Sequence, residues 1–297
     1  MLLVLAGASG FLGTAWRDHL AQQGHKVVRL VRGEPMSADE SRWDPYAGRV
    51  DQGVVDRADV VACLSGSPLA HLPWTESYKK AFTDSRVRTT RTLAEAIGRA
   101  DQKPVLLAQN GIAGYGDSGD SLLTEDSPFD APTFMGRVTR AWTDATGAAE
   151  HGGARVVTMR TGVVLGQGGG AVKPLSLFFR MGLGGPVGDG RQYFSTISVN
   201  DWVRAATYLA ENKAAQGPYN VTGPIPLTNA EFSKTLGRML SRPSLVRAPS
   251  FAIRAALRDV SSELLGSERV VPRRLEDEGF VFEHRTQEQI IASALGR

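Results

Sequence analysis

Short apolar runs alternate with longer amphipathic stretches through the first half of this chain. A strand buried in a parallel sheet is expected to be a continuous apolar run, whereas a surface helix carries apolar residues three and four positions apart. The apolar runs predict strands at 2–6, 26–31, 59–64, 104–109 and 155–165. The amphipathic stretches predict helices at 11–23, 74–99 and 133–150. This alternation predicts an α/β fold built on a doubly wound parallel sheet.

The pattern is interrupted twice and then changes. Residues 34–53 are predicted to be irregular around a turn at Trp43-Asp44-Pro45, and 110–132 to form a long loop. After residue 166, glycine-rich segments alternate with short predicted helices at 171–181, 199–212, 228–241 and 250–264. The sequence therefore predicts two domains, a large one at 1–165 and a smaller C-terminal α/β lobe at 166–297. The helix at 199–212 is expected to pack back on the large domain.

The composition excludes several classes of protein. With 42% hydrophobic and 22% charged residues among 297, wholesale disorder is excluded. The net charge is only +3 and no run of Lys and Arg reaches five residues, so no nucleic-acid partner is expected. No apolar stretch approaches the roughly 18 residues of a membrane span, so no membrane partner is expected, and the apolar N-terminus is interpreted as a strand rather than a signal peptide.

The single cysteine and the five histidines bear on metals and on location. Cys63 cannot form a disulfide within the chain, and one cysteine is compatible with a reducing, cytoplasmic location. No two histidines have His-x-x-x-His spacing, and no cysteine cluster exists, so no metal is expected.

A glycine-rich loop follows the first predicted strand and opens the first predicted helix. The segment 7–13 reads Gly-Ala-Ser-Gly-Phe-Leu-Gly. In such a loop the first glycine allows the tight turn, the second lets backbone N–H groups approach a pyrophosphate, and the third lets the helix pack on the strand. The position between a strand and a helix favours dinucleotide binding over a simple tight turn. The large domain is therefore predicted to be a Rossmann domain.

The end of the second predicted strand indicates which dinucleotide binds. Proteins that bind NAD usually place an Asp or Glu there for the ribose 2′-hydroxyl, but 27–33 contain no acid. Arg32 stands there instead, and a guanidinium suits a 2′-phosphate. The prediction is NADP(H); the alternative is that Arg32 is a solvated arginine and Glu34 binds the ribose.

Several further stretches match the sequence pattern of a known family, in the same order along the chain, and we call them the family-like stretches. They are Trp74-Thr75-Glu76, Ser85-Arg86, Gly114-Tyr115-Gly116-Asp117 with Thr124-Glu125-Asp126, 160–166, Gly184-Gly185-Pro186, Gly190-Arg191-Gln192, Gly217-Pro218-Tyr219-Asn220 and 268–275. With the glycine loop, they make the chain resemble an extended short-chain dehydrogenase/reductase of the atypical epimerase-family group, which carries the labels nucleoside-diphosphate-sugar epimerase and SulA-like cell-division inhibitor. The resemblance implies NADP(H) on the large lobe and a substrate cleft between two lobes.

The catalytic residues depart from the pattern of that superfamily. Its standard members use a Ser or Thr with a Tyr-x-x-x-Lys pair, in which the Lys cation lowers the pKa of the Tyr that passes a proton to a carbonyl oxygen. None of the six tyrosines here has a Lys four positions on. By resemblance, the place of the pair falls at Thr133 and Arg137, and that of the Ser at Asn110. Tyr115 is the nearest substitute acid, and the alternative is that it only packs in a loop.

These observations together define a predicted site. The cofactor-binding set also takes in the loop after strand 59–64 and Arg86 from the family pattern, and comprises Gly7, Ser9, Gly10, Phe11, Leu12, Gly13, Arg32, Ser65, Gly66 and Arg86. The catalytic candidates are Asn110, Tyr115 and Arg137. By resemblance to members that act on sugar nucleotides, Arg191 and Gln192 are candidates for holding a substrate phosphate or carboxylate. The alternative is that Arg191 is a surface arginine in a turn.

The sequence leaves two classes of function open. One is an NADP(H)-dependent oxidoreductase or sugar-nucleotide-epimerase-like enzyme acting on a nucleotide-sugar or another carbonyl compound. A reductase ranks above an epimerase, because epimerisation in two hydride steps needs a competent acid and base. The other is a catalytically weak or inactive NADP(H)-binding regulator that acts through a protein partner, with cell division as the context the SulA-like label suggests. A homodimer is also open, since long helices such as 74–99 and 133–150 commonly form dimer faces in this superfamily.

Overall fold

The computed structural model describes residues 1–69 and 71–297. Its strands are β1 (Leu2–Ala6), β2 (Lys26–Val31), β3 (Glu40–Asp44), β4 (Arg49–Val50), β5 (Val60–Cys63), β6 (Val105–Gly111), β7 (Leu122–Leu123), β8 (Val156–Thr161), β9 (Val163–Gly166), β10 (Gly169–Gly170), β11 (Tyr193–Phe194), β12 (Thr196–Ser198), β13 (Gly217–Val221), β14 (Leu227–Thr228) and β15 (Arg269–Val270). Its helices are α1 (Phe11–Gln22), α2 (Gln52–Asp56), α3 (Glu76–Arg99), α4 (Phe134–Asp144), α5 (Gly147–His151), α6 (Val172–Arg180), α7 (Val199–Glu211), α8 (Asn229–Leu240), α9 (Ser250–Leu257), α10 (Ser262–Leu265), α11 (Arg273–Asp277) and α12 (Gln287–Leu295).

The largest sheet has eight strands in the order β13-β8-β6-β5-β1-β2-β3-β4. The pairs β1/β2, β1/β5, β2/β3 and β5/β6 are parallel, whereas the edge pair β3/β4 is antiparallel. The chain order reverses between β1 and β5, so a switch point lies at the carboxyl end of β1. Ligands of open α/β sheets bind at such a point. The predicted Rossmann-type parallel sheet is confirmed.

The predicted strand 155–165 is two strands in different sheets. β8 belongs to the large sheet, whereas β9 pairs in parallel with β12 and antiparallel with β10. Gly162 separates them: its N–H donates to Val221 O, and a Cβ there would lie 2.6 Å from Ser195 O. Because Gly162 has no side chain, two segments of main chain pass close to each other there, and the backbone leaves the large sheet after β8 and enters the small sheet at β9. The apolar run alone did not indicate this change of sheet.

Three other predictions need correction. The segment 34–53 is predicted to be irregular but contains β3 and β4, and in β3 the buried Ser41 and Trp43 lie on either side of the exposed Arg42. The predicted helix 133–150 is interrupted between α4 and α5, where the Thr146 hydroxyl donates to Thr143 O and competes with the helical pattern. The predicted helix 250–264 breaks after α9 at Arg258, whose φ is +48°. The helices α11 and α12 were not predicted.

The chain forms two compact units. Unit 1 comprises Met1–Asn110, Arg140–Met159 and Ala206–Pro218, and unit 2 comprises Gly111–Thr139, Arg160–Ala205 and Tyr219–Arg297. The chain passes between these two units several times, whereas the sequence predicts a single boundary after residue 165. Part of the predicted helix 199–212 lies in unit 1, where Trp16 Nε1 donates to Thr207 Oγ1 at 3.0 Å.

Each unit has its own apolar core. That of unit 1 lies on the large sheet and includes Val4, Val61, Leu93, Ile97 and Leu106. That of unit 2 includes Leu165, Phe179, Phe232, Leu236 and Ile290. In unit 1, β1, β5 and β6 are almost entirely buried, whereas β2 is mostly half-buried. Because these four strands run in parallel, their carboxyl ends lie at one edge of the sheet.

Candidate functional site

The glycine loop between β1 and α1 brings stretches of main chain unusually close. Gly7 has φ +82°, a conformation that side chains disfavour, and a Cβ there would lie 2.8 Å from the carbonyl carbon of Leu64. A Cβ on Gly13 would lie 2.2 Å from Gly7 O. Because both contacts are with main chain rather than with a movable side chain, glycine is required at both positions. Gly7 thus turns the chain, and Gly13 lets α1 approach the loop.

The N-terminus of α1 is open for an anion. Gly10 is the N-cap residue, so no side chain accepts from the first N–H groups, and the first turn contains no acidic residue. Ser9 and Gly10 are exposed, and Phe11 and Leu12 are half-buried. The first N–H groups of a helix have no partner within the helix, and the helix dipole favours negative charge there. These residues therefore fit the pyrophosphate of a dinucleotide.

A second loop lies at the same edge of the sheet. Ser65 and Gly66 follow β5, which pairs with β1. Arg86 on α3 donates from Nη2 to Ser67 O at 3.0 Å, and a Cβ on Gly66 would lie 3.1 Å from Arg86 Cζ. Its guanidinium lies 3.5 Å from the centre of the Phe82 ring, and burial lowers the pKa of Arg86 to about 10. Arg86 thus lies against the loop that contains Ser65 and Gly66 and stabilises it through the hydrogen bond to Ser67 O.

Arg32 lies on a cavity rich in arginine. It follows β2, whose Leu30 pairs with Ala6 of β1, so Arg32 and the glycine loop share one edge of the sheet. The cavity has a volume of about 650 Å³ and is lined by Arg32, Arg42, Trp43, Asp44, Arg49, Val50 and Asp51. Such a concentration of guanidinium groups suits a phosphate.

The three arginines differ in their partners. Arg42 pairs with Glu34, and Arg49 pairs with Asp44 at 3.4 Å. Within residues 1–69 and 71–297, no carboxylate pairs with Arg32. The carboxylate of Glu34, which was the alternative ligand for a ribose, is therefore held by Arg42, while the exposed Arg32 keeps its charge available.

Asn110 is buried near the end of β6. Its Nδ2 donates to Thr143 Oγ1 on α4 at 2.8 Å. Since β6 pairs with β5, Asn110 lies at the same edge as the loop containing Ser65 and Gly66. The backbone position of Asn110 agrees with the active site that the resemblance implies, although the side-chain amide already donates one hydrogen bond to α4.

Tyr115 belongs to a buried polar network in unit 2. Its hydroxyl donates to Asn220 Oδ1 at 2.7 Å and accepts from Arg160 Nη1 at 2.8 Å. Phe129 packs edge-on against its ring with centroids 4.8 Å apart. Burial raises the pKa of Tyr115 despite the opposing charge of Arg160. A catalytic acid works best with a pKa near the operating pH, so these contacts favour a packing role.

The predicted substitutes for the Tyr-x-x-x-Lys pair lie at the start of α4. Thr133 Oγ1 accepts from Gly136 N at 2.9 Å, as a helix cap does. Arg137 is exposed, and its Nη1 donates to Pro132 O at 2.7 Å. Both side chains thus contact their own helix start.

The predicted substrate residues have unequal surroundings. Arg191 is exposed, and its backbone N–H donates to Asp189 Oδ1 at 3.0 Å. Gln192 is buried, and its Nε2 donates to Val187 O and to Leu264 O, both at 3.0 Å. Arg191 is therefore accessible to a ligand, whereas Gln192 joins two segments of unit 2.

Two carboxyl groups that the sequence analysis did not single out have unusual proton affinity. Burial raises the pKa of Glu263 to about 7. Burial, with Glu263 and Asp117 nearby, raises the pKa of Glu268 well above its usual range. Such shifts are frequent at functional sites. The only signal in the sequence was that Glu268 begins the family-like stretch 268–275.

Two features of the described residues bear on metal ions and membranes. Among residues 1–69 and 71–297, no group of three or more His, Cys, Asp and Glu side chains is arranged to hold a metal ion. In the same residues, no helix is both long enough and apolar enough to cross a bilayer.

Comparison with known families identifies two matching segments. Residues 3–222 match the model of the NAD dependent epimerase/dehydratase family, and residues 248–294 match a domain of unknown function, DUF1731. An epimerase family protein of Mycobacterium leprae is 36% identical over 297 residues, covering 100% of this chain and 96% of that protein. The human epimerase family protein SDR39U1 is 34% identical over 288 residues, covering 95% of each chain.

Solved structures of epimerase family proteins also resemble this chain. The crystal structure of human SDR39U1 (isoform 2) with NADPH has a TM-score of 0.90 and 31% identity, and covers 100% of both chains. The nucleoside-diphosphate sugar epimerase from Corynebacterium glutamicum has a TM-score of 0.82 and 31% identity, covering 100% of this chain and 58% of that one. MoeE5 in complex with UDP-glucuronic acid and NAD shares the fold, with a TM-score of 0.75 at 19% identity over 99% of this chain and 97% of that one.

Proposed function

The chain belongs to the NAD dependent epimerase/dehydratase family, and from that membership we propose that it is an NADP(H)-dependent oxidoreductase with a non-standard active site. Its substrate is a small molecule with a carbonyl group or the corresponding hydroxyl, and a nucleotide-sugar is one such class. NADPH supplies a hydride when bound, so the protein must hold the cofactor and orient the substrate oxygen. The observation that carries the proposal is the open N-terminus of α1 behind a loop in which Gly7 and Gly13 are sterically required.

The arrangement of side chains supports NADP(H) over NAD(H). Arg32 lies at the sheet edge beside the glycine loop without a carboxylate partner in the described residues, and Glu34 pairs with Arg42. The human relative with a TM-score of 0.90 was crystallised with NADPH. A guanidinium and a 2′-phosphate form charge-assisted hydrogen bonds that a 2′-hydroxyl cannot replace.

We expect Arg32→Ala to lower the affinity for NADPH and to leave that for NADH unchanged. Hydrogen bonds to charged groups contribute about 1.5–3 kcal/mol, which corresponds to roughly 10- to 150-fold in affinity. Fluorescence titration with both cofactors measures this. Arg49→Ala is the matched control, because Arg49 lines the same cavity but is paired with Asp44. Equal NADPH affinity in wild type and Arg32→Ala would contradict the assignment.

Asn110 is proposed to orient the substrate oxygen, whereas Tyr115 and Arg137 are proposed to stabilise the fold. Asn110 lies at the edge shared with the loop containing Ser65 and Gly66. The Tyr115 hydroxyl is bonded to Arg160 and Asn220, and Arg137 to Pro132. With no Tyr-x-x-x-Lys pair, the proton that reaches the substrate oxygen is proposed to come from water.

Turnover of NADPH with a panel of carbonyl compounds tests this function. We expect Asn110→Ala to lower turnover by at least about tenfold, in line with the loss of one hydrogen bond to a reacting oxygen. Tyr115→Phe is expected to retain turnover within about twofold. NADPH affinity and thermal unfolding show whether each variant is folded. Unchanged turnover in Asn110→Ala, or its loss in Tyr115→Phe alone, would refute this site assignment.

A regulator that binds NADP(H) without turnover is the second candidate. The engagement of Asn110, Tyr115 and Arg137 in internal hydrogen bonds favours it. NADPH binding without oxidation of NADPH by any compound of the panel, together with NADPH-dependent capture of a protein partner, would support the regulator over the enzyme.

A further inference from the structure

Two segments of unit 2 combine exposed apolar side chains with unbalanced positive charge. The segments are 171–188, which contains α6, and 232–258, which contains most of α8 and all of α9. They contain eight Lys and Arg and no Asp or Glu. The rest of the chain contains 26 Lys and Arg and 31 Asp and Glu, so its net charge is negative. The positive excess of the whole chain therefore resides in these two segments.

The two segments run side by side. Val246 N donates to Gly184 O at 3.2 Å, Ala248 N donates to Pro186 O at 3.0 Å, and Gly188 N donates to Ala248 O at 2.8 Å. These bonds join the chain after α6 to the chain before α9. We call the outward side of the joined segments the basic–apolar face.

The apolar side chains of this face point outward rather than into the core. On α6, Phe179 is buried in the core of unit 2, whereas the neighbouring Phe178 is 52% exposed. In the helix α9, Phe251 is 76% exposed and no residue is buried. The large exposed apolar residues of the face include Leu177, Phe178, Met181, Leu183, Leu245 and Phe251. An exposed cluster of this kind marks an interaction surface.

The basic residues of the face are also exposed and mostly unpaired. Arg238 pairs with Glu288 at 3.1 Å. Across the residues that the structure describes, the other seven, among them Arg180, Arg247 and Arg254, make no ion pair. Acidic residues return only at the edges, at Asp189, Glu231 and Asp259. The occupant of this face must therefore be anionic as well as apolar.

We propose that the basic–apolar face docks on the surface of an anionic lipid bilayer. Phe, Leu and Met side chains enter the boundary between headgroups and acyl chains, while Lys and Arg contact the anionic headgroups. A second copy of this chain is disfavoured as the occupant, because two faces with the same positive charge repel each other. The proposal adds a peripheral contact and so departs from the expectation of no membrane partner, which rested on the lack of a spanning segment.

Vesicle flotation with the full-length protein tests the proposal. We expect binding to vesicles of phosphatidylcholine mixed with phosphatidylglycerol and not to phosphatidylcholine alone. Binding should weaken from about 0.1 M to about 1 M salt, because the screening length falls from about 10 Å to about 3 Å. Absence of binding to the mixed vesicles at low salt would overturn the proposal. If a poly-glutamate peptide bound instead, the face would be a site for an acidic protein.

Two double variants separate the contributions of charge and apolar insertion. Arg247→Glu with Arg254→Glu, and Phe178→Ser with Phe251→Ser, are each expected to weaken vesicle binding by at least about tenfold. The matched controls are Lys213→Glu and Met36→Ser, which change exposed residues elsewhere and should bind like wild type. NADPH titration and thermal unfolding verify that each variant is folded. Full vesicle binding by either double variant would overturn the proposal.

Discussion

Gly13→Val is expected to abolish measurable binding of NADPH and to destabilise the protein. The Cβ would lie 2.2 Å from Gly7 O and 2.8 Å from Ala8 Cα, which are both main-chain atoms. Because neither can rotate away, α1 must move off the loop, and its first N–H groups move with it. Overpacking of this kind costs about 1–3 kcal/mol, and occasionally more.

Cofactor titration and thermal unfolding measure the two effects of Gly13→Val. Gly33→Val is the matched control, because no heavy atom outside residues 32–34 lies within 4 Å of a Cβ at Gly33 and its φ is not positive. It is expected to unfold like wild type. If Gly13→Val bound NADPH as wild type does, the close approach of α1 to the loop would not matter for the cofactor.

Arg160→Leu is expected to lower the free energy of unfolding by about 2–3 kcal/mol. The buried guanidinium donates to Tyr115 OH at 2.8 Å and to Glu125 O at 3.2 Å, and its Cζ lies 3.8 Å from the centre of the Phe129 ring. Leucine makes none of these bonds, although it removes the cost of burying a charge, which limits the loss. At about 2–4 °C per kcal/mol, Tm should fall by roughly 4–12 °C.

Thermal unfolding, together with turnover of NADPH by the carbonyl panel, separates a structural role of Arg160 from a catalytic one. Arg99→Leu, an exposed arginine at the end of α3, is the control and should leave Tm nearly unchanged. Arg160→Lys keeps the charge but lacks the planar fork, so its Tm should lie between those of wild type and Arg160→Leu. An Arg160→Leu protein with wild-type Tm and no turnover would show that the network serves catalysis instead.

The glycine loop and its place between a strand and a helix could be predicted because their determinants are local. A buried apolar run, a glycine spacing and a following amphipathic helix are consecutive in the chain, and the structure places them as β1, the loop and α1. Arg32 was selected in the same way, by its distance from Gly13 and its place after β2, and its role with a 2′-phosphate stays a prediction. The family-like stretches were enough to indicate the family that the comparisons established.

The hydrogen-bond partners of the catalytic candidates could not be predicted, because those partners are distant in the chain. Tyr115 and its partner Asn220 are 105 positions apart, and Arg160 reaches Tyr115 across 45. Similarly, Glu34 could be read as a ribose ligand until the structure paired it with Arg42 of the next strand. The spacing of residues along the chain does not predict hydrogen bonds and ion pairs between distant segments.

By itself, the sequence determined the parallel sheet, the glycine loop and the absence of a Tyr-x-x-x-Lys pair, since all three depend on residue types at short spacings. Only the tertiary structure decided that 155–165 divides between two sheets at Gly162, that the units interleave along the chain, and that Tyr115 is held by Arg160 and Asn220. It alone also joined 171–188 to 232–258 as one surface. The physical reason is that hydrogen bonds and packing between distant segments depend on where the backbone returns in space, and hydrophobic periodicity contains no information on that return.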